Sequence, residues 1–218
     1  MKLQLSAFSA VEHHAEIPDN FVHLREVIPD IVEDVKYYST DNFVGERIPG
    51  YEAGRLILTL EAAMALRKVQ RELAYGGLAL KVFDGYRPQR AVDFFGRWAE
   101  DDSDVRMQQR FYPHLRKQEL FPQGYLVKQS SHSRGSTVDL TVIDGVTNDE
   151  LDMGTEFDFF DLASWPSSTD VSGAQRGNRL LLRTLMTQAG FAGVEEEWWH
   201  FTLRNEPYAD RYFDFVIR

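Results

Sequence analysis

The clearest periodic signal lies between Thr59 and Tyr75, where Ala62, Leu66, Val69 and Leu73 recur at three- and four-residue spacing, the repeat of one helical face. Thr59 stands before it as an N-cap candidate and Gly76-Gly77 follows as a stop. A core helix is therefore predicted over this stretch. The period then changes to two, with Leu78, Leu80 and Val82 alternating with Ala79, Lys81 and Phe83. That alternation predicts a strand running into Asp84-Gly85-Tyr86-Arg87-Pro88. Pro88 favours an extended Arg87 and suits the first position of a helix expected over 89–100, so Arg87 falls on a strand-to-helix junction. Another helix is expected from about Ala174 to Ala189, with Leu181, Leu185 and Met186 as its apolar positions and Gly190 closing it.

Elsewhere the pattern is weaker. Partial alternation from Val32 to Tyr38 predicts a short strand, as do Leu126-Val127-Lys128, the run Asp139 to Ile143 and the segment carrying Glu197 and His200. Residues 101–123 are charged and irregular, and 144–170 are acidic and loop-like. Ser164 to Gly173, rich in Ser, Pro and Gly, is expected to be a surface loop and a candidate lid. Residues 1–20 show no period and are expected to form an extended or loosely attached arm. Its His13 and His14, and His114 elsewhere, are expected to be solvated. Strands and helices interleave without the regular alternation of a doubly wound fold. The expected class is α+β, a single domain over 1–218 with a small, largely antiparallel sheet flanked by helices.

Composition narrows the partners. A hydrophobic fraction of 43% and a charged fraction of 27% exclude disordered and collagen-like classes. The net charge of −10 with no Lys/Arg run repels phosphate backbones and anionic bilayers, so neither nucleic acid nor membrane is an expected partner. A small substrate remains. Without cysteine the chain forms no disulfide and no thiolate site, so a metal must be held by His, Asp or Glu. The N-terminal apolar run is broken by Gln4 and Ser6 and meets Glu12 too soon for a signal peptide. No stretch approaches the roughly 18 apolar residues of a spanning helix. A cytoplasmic protein is expected, and a homo-oligomer stays open.

The candidate chemistry centres on Ser130-Ser131-His132-Ser133-Arg134-Gly135-Ser136-Thr137-Val138-Asp139. Gly135 lets the chain turn sharply between His132 and Asp139, and Asp139 opens the run Leu140-Thr141-Val142-Ile143. With His200 the set becomes two imidazoles and one carboxylate. That composition suits zinc and leaves a coordination position open, as catalytic sites do. A lone histidine is more often a surface residue, so the combination carries the reading.

The pattern Ser-x-His-x-x-Gly-x-x-x-Asp, followed some sixty residues later by Glu-x-x-His, is similar to that of the zinc D,D-peptidases. Together "SSHSRGSTVDLT", "DGYRPQRAV", "MGTEFDFFD" and "EWWHF" resemble the D-alanyl-D-alanine dipeptidases, the vancomycin-resistance type and its chromosomal relatives, from about Asp34 to Phe215. The resemblance implies an α+β fold with one zinc ion per chain at the sheet, held by His132, Asp139 and His200, and hydrolysis of D-Ala-D-Ala and similar D,D-dipeptides. It also implies Glu197 as general base and Arg87 as the cation facing the oxyanion. Asp158 and Tyr37 would hold the substrate ammonium and Ser130 its carboxylate.

Each residue has a plainer reading beside this one. Glu195-Glu196-Glu197 would ordinarily be a solvated acidic face, and only the spacing to His200 and the family pattern select Glu197. Residues three apart face opposite sides of a regular strand, so a bend near Trp198 or Trp199 is required. Arg87 could cap a helix, Asp158 could cap a turn, Tyr37 or Tyr38 could be core, and the two tryptophans are expected as packing. The D-stereochemistry comes entirely from the resemblance. The chain departs from the family in Thr137, where many relatives have a smaller residue, in the N-terminal arm and in the 164–173 segment. The alternatives are a zinc D,D-carboxypeptidase or L,D-endopeptidase acting on peptidoglycan, and a non-catalytic zinc-stabilised binding module.

Overall fold

The computed structural model describes residues 10–218. In chain order the elements are β1 (Val11–His13), β2 (Phe21–His23), α1 (Leu24–Val27), β3 (Val32–Glu33), β4 (Ile57–Thr59), α2 (Leu60–Tyr75), β5 (Leu78–Asp84), α3 (Gln89–Glu100), α4 (Gln108–Phe111), α5 (Lys117–Leu120), β6 (Thr137–Asp144), α6 (Gly173–Gln188), β7 (Phe191–Gly193), β8 (His200–Leu203) and β9 (Tyr212–Asp214). The main sheet has the order β3-β5-β6-β8-β7. Only its β3–β5 pair is parallel. The α+β class with a largely antiparallel sheet is therefore the observed one.

The helix periodicity translates directly into packing. Thr59 caps α2 by accepting the Ala62 amide, and Ala62, Ala63, Leu66, Val69 and Leu73 are buried, each large apolar side chain contributing roughly 1.5–3 kcal/mol. This face lies against β5 and α6. Strand β6, central in the sheet, is buried along all but its last residue, as a strand covered on both faces must be. Helix α6 is capped by a Ser172–Gln175 capping box. Its buried positions are Arg179, Leu182 and Met186, whereas Leu181, expected in the core, is among the exposed apolar residues.

The junction after β5 is built as predicted, with one adjustment. Pro88 is the N-cap of α3 rather than its first residue, and the cap function comes from outside the helix, since Asp214 Oδ1 accepts the Arg90 amide at 3.0 Å. At the other end the buried Lys117 ammonium donates to the Trp98 and Asp101 carbonyls at 3.1 and 2.7 Å.

Two strand expectations are corrected. The Val32 to Tyr38 strand stops at Glu33, because Lys36–Tyr38 wind into a 3₁₀ turn that carries Tyr37 into the core. Leu126 to Lys128 is not a strand. The Leu126 amide turns back to the Leu120 carbonyl at 3.1 Å, and Val127 is left exposed.

Of the expected N-terminal arm, residues 1–9 lie outside the described residues. Val11–His13 pair in parallel with β9, and His13 Nδ1 lies 3.1 Å from Asp214 Oδ2 on an otherwise exposed ring. Among the described residues, no helix is long and apolar enough to cross a membrane.

Candidate active site

Three strands meet at one row. The register sets Asp84 opposite Asp139 and Asp139 opposite His200, with a β-bulge between Val82 and Asp84. Bulges re-aim side chains at such sites. The fourth participant arrives on a turn: Ser130 caps a 3₁₀ turn over Ser131–Arg134 by accepting the His132 amide, and the turn closes at Gly135 with φ of 82°. A Cβ at Gly135 would lie 2.1 Å from Phe21 Cε1. Left-handed backbone and absent side chain are thus both required there.

This turn fixes the ring of His132. Its Nδ1 is 2.7 Å from the Gly85 carbonyl, which can only accept, so Nδ1 carries the proton and Nε2 presents a lone pair. Nε2 lies 3.1 Å from Asp139 Oδ2 and 3.2 Å from His200 Nδ1, and His200 Nδ1 is 3.1 Å from Asp139 Oδ1. The last contact lacks hydrogen-bond geometry, which leaves the buried Asp139 Oδ1 without a partner. His200 Nδ1 can donate to the bare His132 Nε2, but the buried Asp139 Oδ1 stays orphaned, and an unpaired buried carboxylate oxygen calls for a further partner. A cation suits it. Donors about 2.0–2.1 Å from a tetrahedral ion stand about 3.3 Å apart, close to the spacings here, and these three residues form one potential metal-holding group. Burial works against the Asp139 carboxylate, but the charge that the two rings carry when protonated, and their hydrogen bonds, outweigh it and hold its pKa far below the usual range. Burial pushes His200 down, toward the neutral form a metal requires. Ser131 Oγ stands 3.4 Å from the far nitrogen of His200.

Glu197 reaches the same point because the chain bends at 195–196 and again at 198–199 before β8 begins. Its Oε2 is 3.6 Å from His200 Nδ1. Burial, then the charges of Asp139 and Asp158, push its carboxyl well up. Trp198 and Trp199 are buried packing, as expected, with Trp199 edge-on to Phe157 at 5.5 Å.

Arg87 lies beside Asp139. Its Nε donates to Asp84 Oδ2 at 2.9 Å and its Nη2 to Asp139 Oδ2 at 3.3 Å, and its guanidinium covers the Tyr37 ring at 4.9 Å. Asp84 is fully buried and also accepts from Tyr51 at 2.7 Å. Asp84, Tyr51, Ser131 and the Gly85 carbonyl are supports that sequence reading did not select. The only signal was the "DG" ahead of Arg87.

A single cavity of about 310 Å³ is lined by Tyr37, Arg87, Ser130, His132, Asp139, Asp158, Glu197 and His200. Every residue singled out for the site is therefore brought together. Within this cavity Tyr37 donates to Asp158 Oδ2 at 2.8 Å, and Asp158 adopts φ of 60°. Burial and the nearby Asp139 charge push the Asp158 carboxyl well up. No residue of 164–173 lines the cavity; the wall there is Asp158 and Phe160. His114 lies elsewhere, 2.7 Å from Asp161 on an exposed ring, and Thr137 is buried in β6 with its hydroxyl 2.9 Å from Thr202.

The comparisons with known proteins agree with this geometry. A family model described as D-ala-D-ala dipeptidase, of the M15 peptidases, matches residues 18–218. A D-alanyl-D-alanine dipeptidase of Enterococcus faecalis is 42% identical over 199 residues, covering 91% of this chain and 98% of the relative. One of Streptomyces coelicolor is 42% identical over 198 residues, with the same coverage of 91% and 98%. One of Escherichia coli is 36% identical over 185 residues, covering 84% of this chain and 83% of its own. The chain is a peptidase and belongs to the M15 D-Ala-D-Ala dipeptidase family.

Proposed function

We propose that this protein hydrolyses D-Ala-D-Ala and similar D,D-dipeptides to free amino acids with one zinc ion held by His132, Asp139 and His200. The observation that carries the reading is the convergence of His132 Nε2, His200 Nδ1 and the Asp139 carboxylate, whose Oδ1 has no hydrogen-bond partner, with Glu197 beside His200 and Arg87 beside Asp139. An ion bound there supplies Lewis-acid polarisation to water and to the scissile carbonyl.

The protein's own groups do the rest. Glu197 accepts a proton from the attacking water at Oε2 and delivers it to the leaving amine, so water's oxygen ends on the new carboxylate and both its protons on the products. Glu197 would act from its ionised form, which a positive charge held by His132, Asp139 and His200 would favour. The Arg87 guanidinium, braced by Asp84, faces the negative charge that develops on the carbonyl oxygen. Such a donor contributes about 3 kcal/mol.

Asp158 and Tyr37 take the substrate ammonium and Ser130 the carboxylate. A buried charge is tolerated only when paired, so a cavity of about 310 Å³ with an anchor for each terminus measures a dipeptide. The preference for D-residues rests on the family.

Purified protein, metal-loaded, is incubated with D-Ala-D-Ala, L-Ala-L-Ala and a cell-wall pentapeptide, and released alanine is measured. Release from D-Ala-D-Ala alone is expected, with bound zinc lost in His132→Ala, Asp139→Ala and His200→Ala. Cleavage of the pentapeptide alone would replace this reading with a carboxypeptidase. No cleavage by the metal-loaded protein would leave a binding module.

A further inference from the structure

The segment from Met153 to Trp165 presents Asp158 to the cavity, and it is held at both ends by one buried side chain. Arg179 of α6 donates from Nε to the Met153 carbonyl at 2.7 Å and from Nη1 to the Trp165 carbonyl at 3.0 Å. Within that frame runs a second set of hydrogen bonds whose direction is fixed by chemistry. The Trp198 indole can only donate, and it does so to Thr155 Oγ1 at 2.9 Å. The Ser164 hydroxyl donates to the Phe159 carbonyl, so its oxygen is left to accept the Thr155 hydroxyl at 2.9 Å. The chain therefore reads Trp198, Thr155, Ser164, Phe159.

Its two ends matter. Trp198 follows Glu197, and Phe159 follows Asp158. The same peptide unit is gripped from its other side as well, since the Phe160 amide donates to the Phe111 carbonyl at 2.7 Å. Trp198 is tied in a second time through its own amide, which donates to the Ser164 carbonyl at 3.1 Å. Asp158 itself sits at φ of 60°, a conformation that a non-glycine residue keeps only when its surroundings impose it.

We propose that the Trp198–Thr155–Ser164–Phe159 chain is the positioning device for Asp158, setting the distance between the ammonium anchor and the reacting centre beside Glu197. This rests on the reading of Asp158 as that anchor. Thr155, Ser164 and Trp198 are positioning residues; none needs to touch substrate. Selectivity for a dipeptide then comes from a fixed wall and not from a closing loop.

The test is a double-mutant cycle on the metal-loaded protein with D-Ala-D-Ala. Thr155→Val keeps the shape and breaks the chain, and is expected to raise KM about 3- to 10-fold, the factor carried by one neutral hydrogen bond, with kcat within about two-fold. Thr155→Ser, which keeps the hydroxyl, restores the wild-type KM. Asp158→Asn raises KM further, and adding Thr155→Val to it changes nothing more. A Thr155→Val KM equal to wild type overturns the proposal, as does an effect that adds in full to that of Asp158→Asn or that Thr155→Ser fails to rescue. Asp158→Asn with an unchanged KM overturns the anchor reading itself, and this inference with it. Ser164→Ala, which cuts the chain at a different link, repeats the cycle should Thr155→Val fold poorly.

Discussion

Glu197, the proposed base, shows how little of such a role is written in one side chain. It is the third of three consecutive glutamates, and what separates it from the others is a carboxylate oxygen 3.6 Å from His200 Nδ1. Glu197→Gln keeps shape and reach but cannot accept a proton. Turnover should therefore fall on the order of 10²- to 10⁴-fold, the span of general acid–base assistance, while zinc content by elemental analysis stays near wild type. Glu195→Gln, the control, should stay within a few-fold. A Glu197→Gln enzyme of near wild-type rate would move the base elsewhere. Asp84 makes the complementary point. It touches no substrate in this reading, yet Tyr51 and Arg87 satisfy it at 2.7 and 2.9 Å, so it holds the guanidinium at the angle the cavity needs. Burial raises its pKa, and the charges of Arg87 and His132 oppose that rise.

At the scale of elements, the turn between Ser130 and Gly135 decides where His132 points. Gly135→Ala places a Cβ 2.1 Å from Phe21 Cε1 at φ of 82°, and Phe21 is itself wedged among Tyr86, Phe213 and Phe215. The aromatic cluster cannot yield cheaply, so a loss of about 1–3 kcal/mol or more is expected, together with weaker zinc binding as His132 shifts. Gly177→Ala in α6 is the counter-case. Its Cβ meets nothing within 4 Å, and a helical glycine costs about 0.5–1 kcal/mol relative to alanine. One glycine replaced should lower Tm and the other raise it, both readable by thermal melts with and without metal. Equal shifts of one sign would contradict the steric argument.

Across the whole molecule the first and last strands meet at Asp214. It accepts from the Arg90 amide and guanidinium at 3.0 and 2.8 Å and meets His13 at 3.1 Å, tying β1, β9 and the start of α3 into one corner. Burial works against its carboxylate, but the Arg90 bonds outweigh burial and keep its pKa below the usual value. A depressed folded pKa means stability that is fully present above the unfolded value of about 3.9 and lost as pH falls through the folded one. The stability difference between wild type and Asp214→Asn, from urea unfolding, should be constant near pH 6 and shrink toward zero as pH falls below about 4. A difference unchanged at pH 3 would remove Asp214 from that role.

What the chain determined by itself is local or carried by spacing. The periods of α2 and β5, the stop at Gly76-Gly77 and the strand-to-helix position of Arg87 follow from side-chain repeat and backbone chemistry, which act within a few residues. The convergence of the proposed triad was legible too, because His132, Gly135 and Asp139 stand close in sequence and His200 follows in a recognisable motif. Tertiary structure decided what depends on partners far along the chain. The Val32 to Tyr38 strand ended early because Tyr37 is worth more inside the core beside Asp158 than on a sheet edge. Leu126 to Lys128 found no strand to pair with, and alternation without a partner makes no sheet. Asp84 could not be singled out, since a lone acid before a glycine looks the same whether it caps a turn or braces an arginine; only the register opposite Asp139 distinguishes them. The 164–173 stretch looked like a lid by composition. Yet Ser164 is buried and bonded to Thr155 and Trp198, contacts that no local pattern announces.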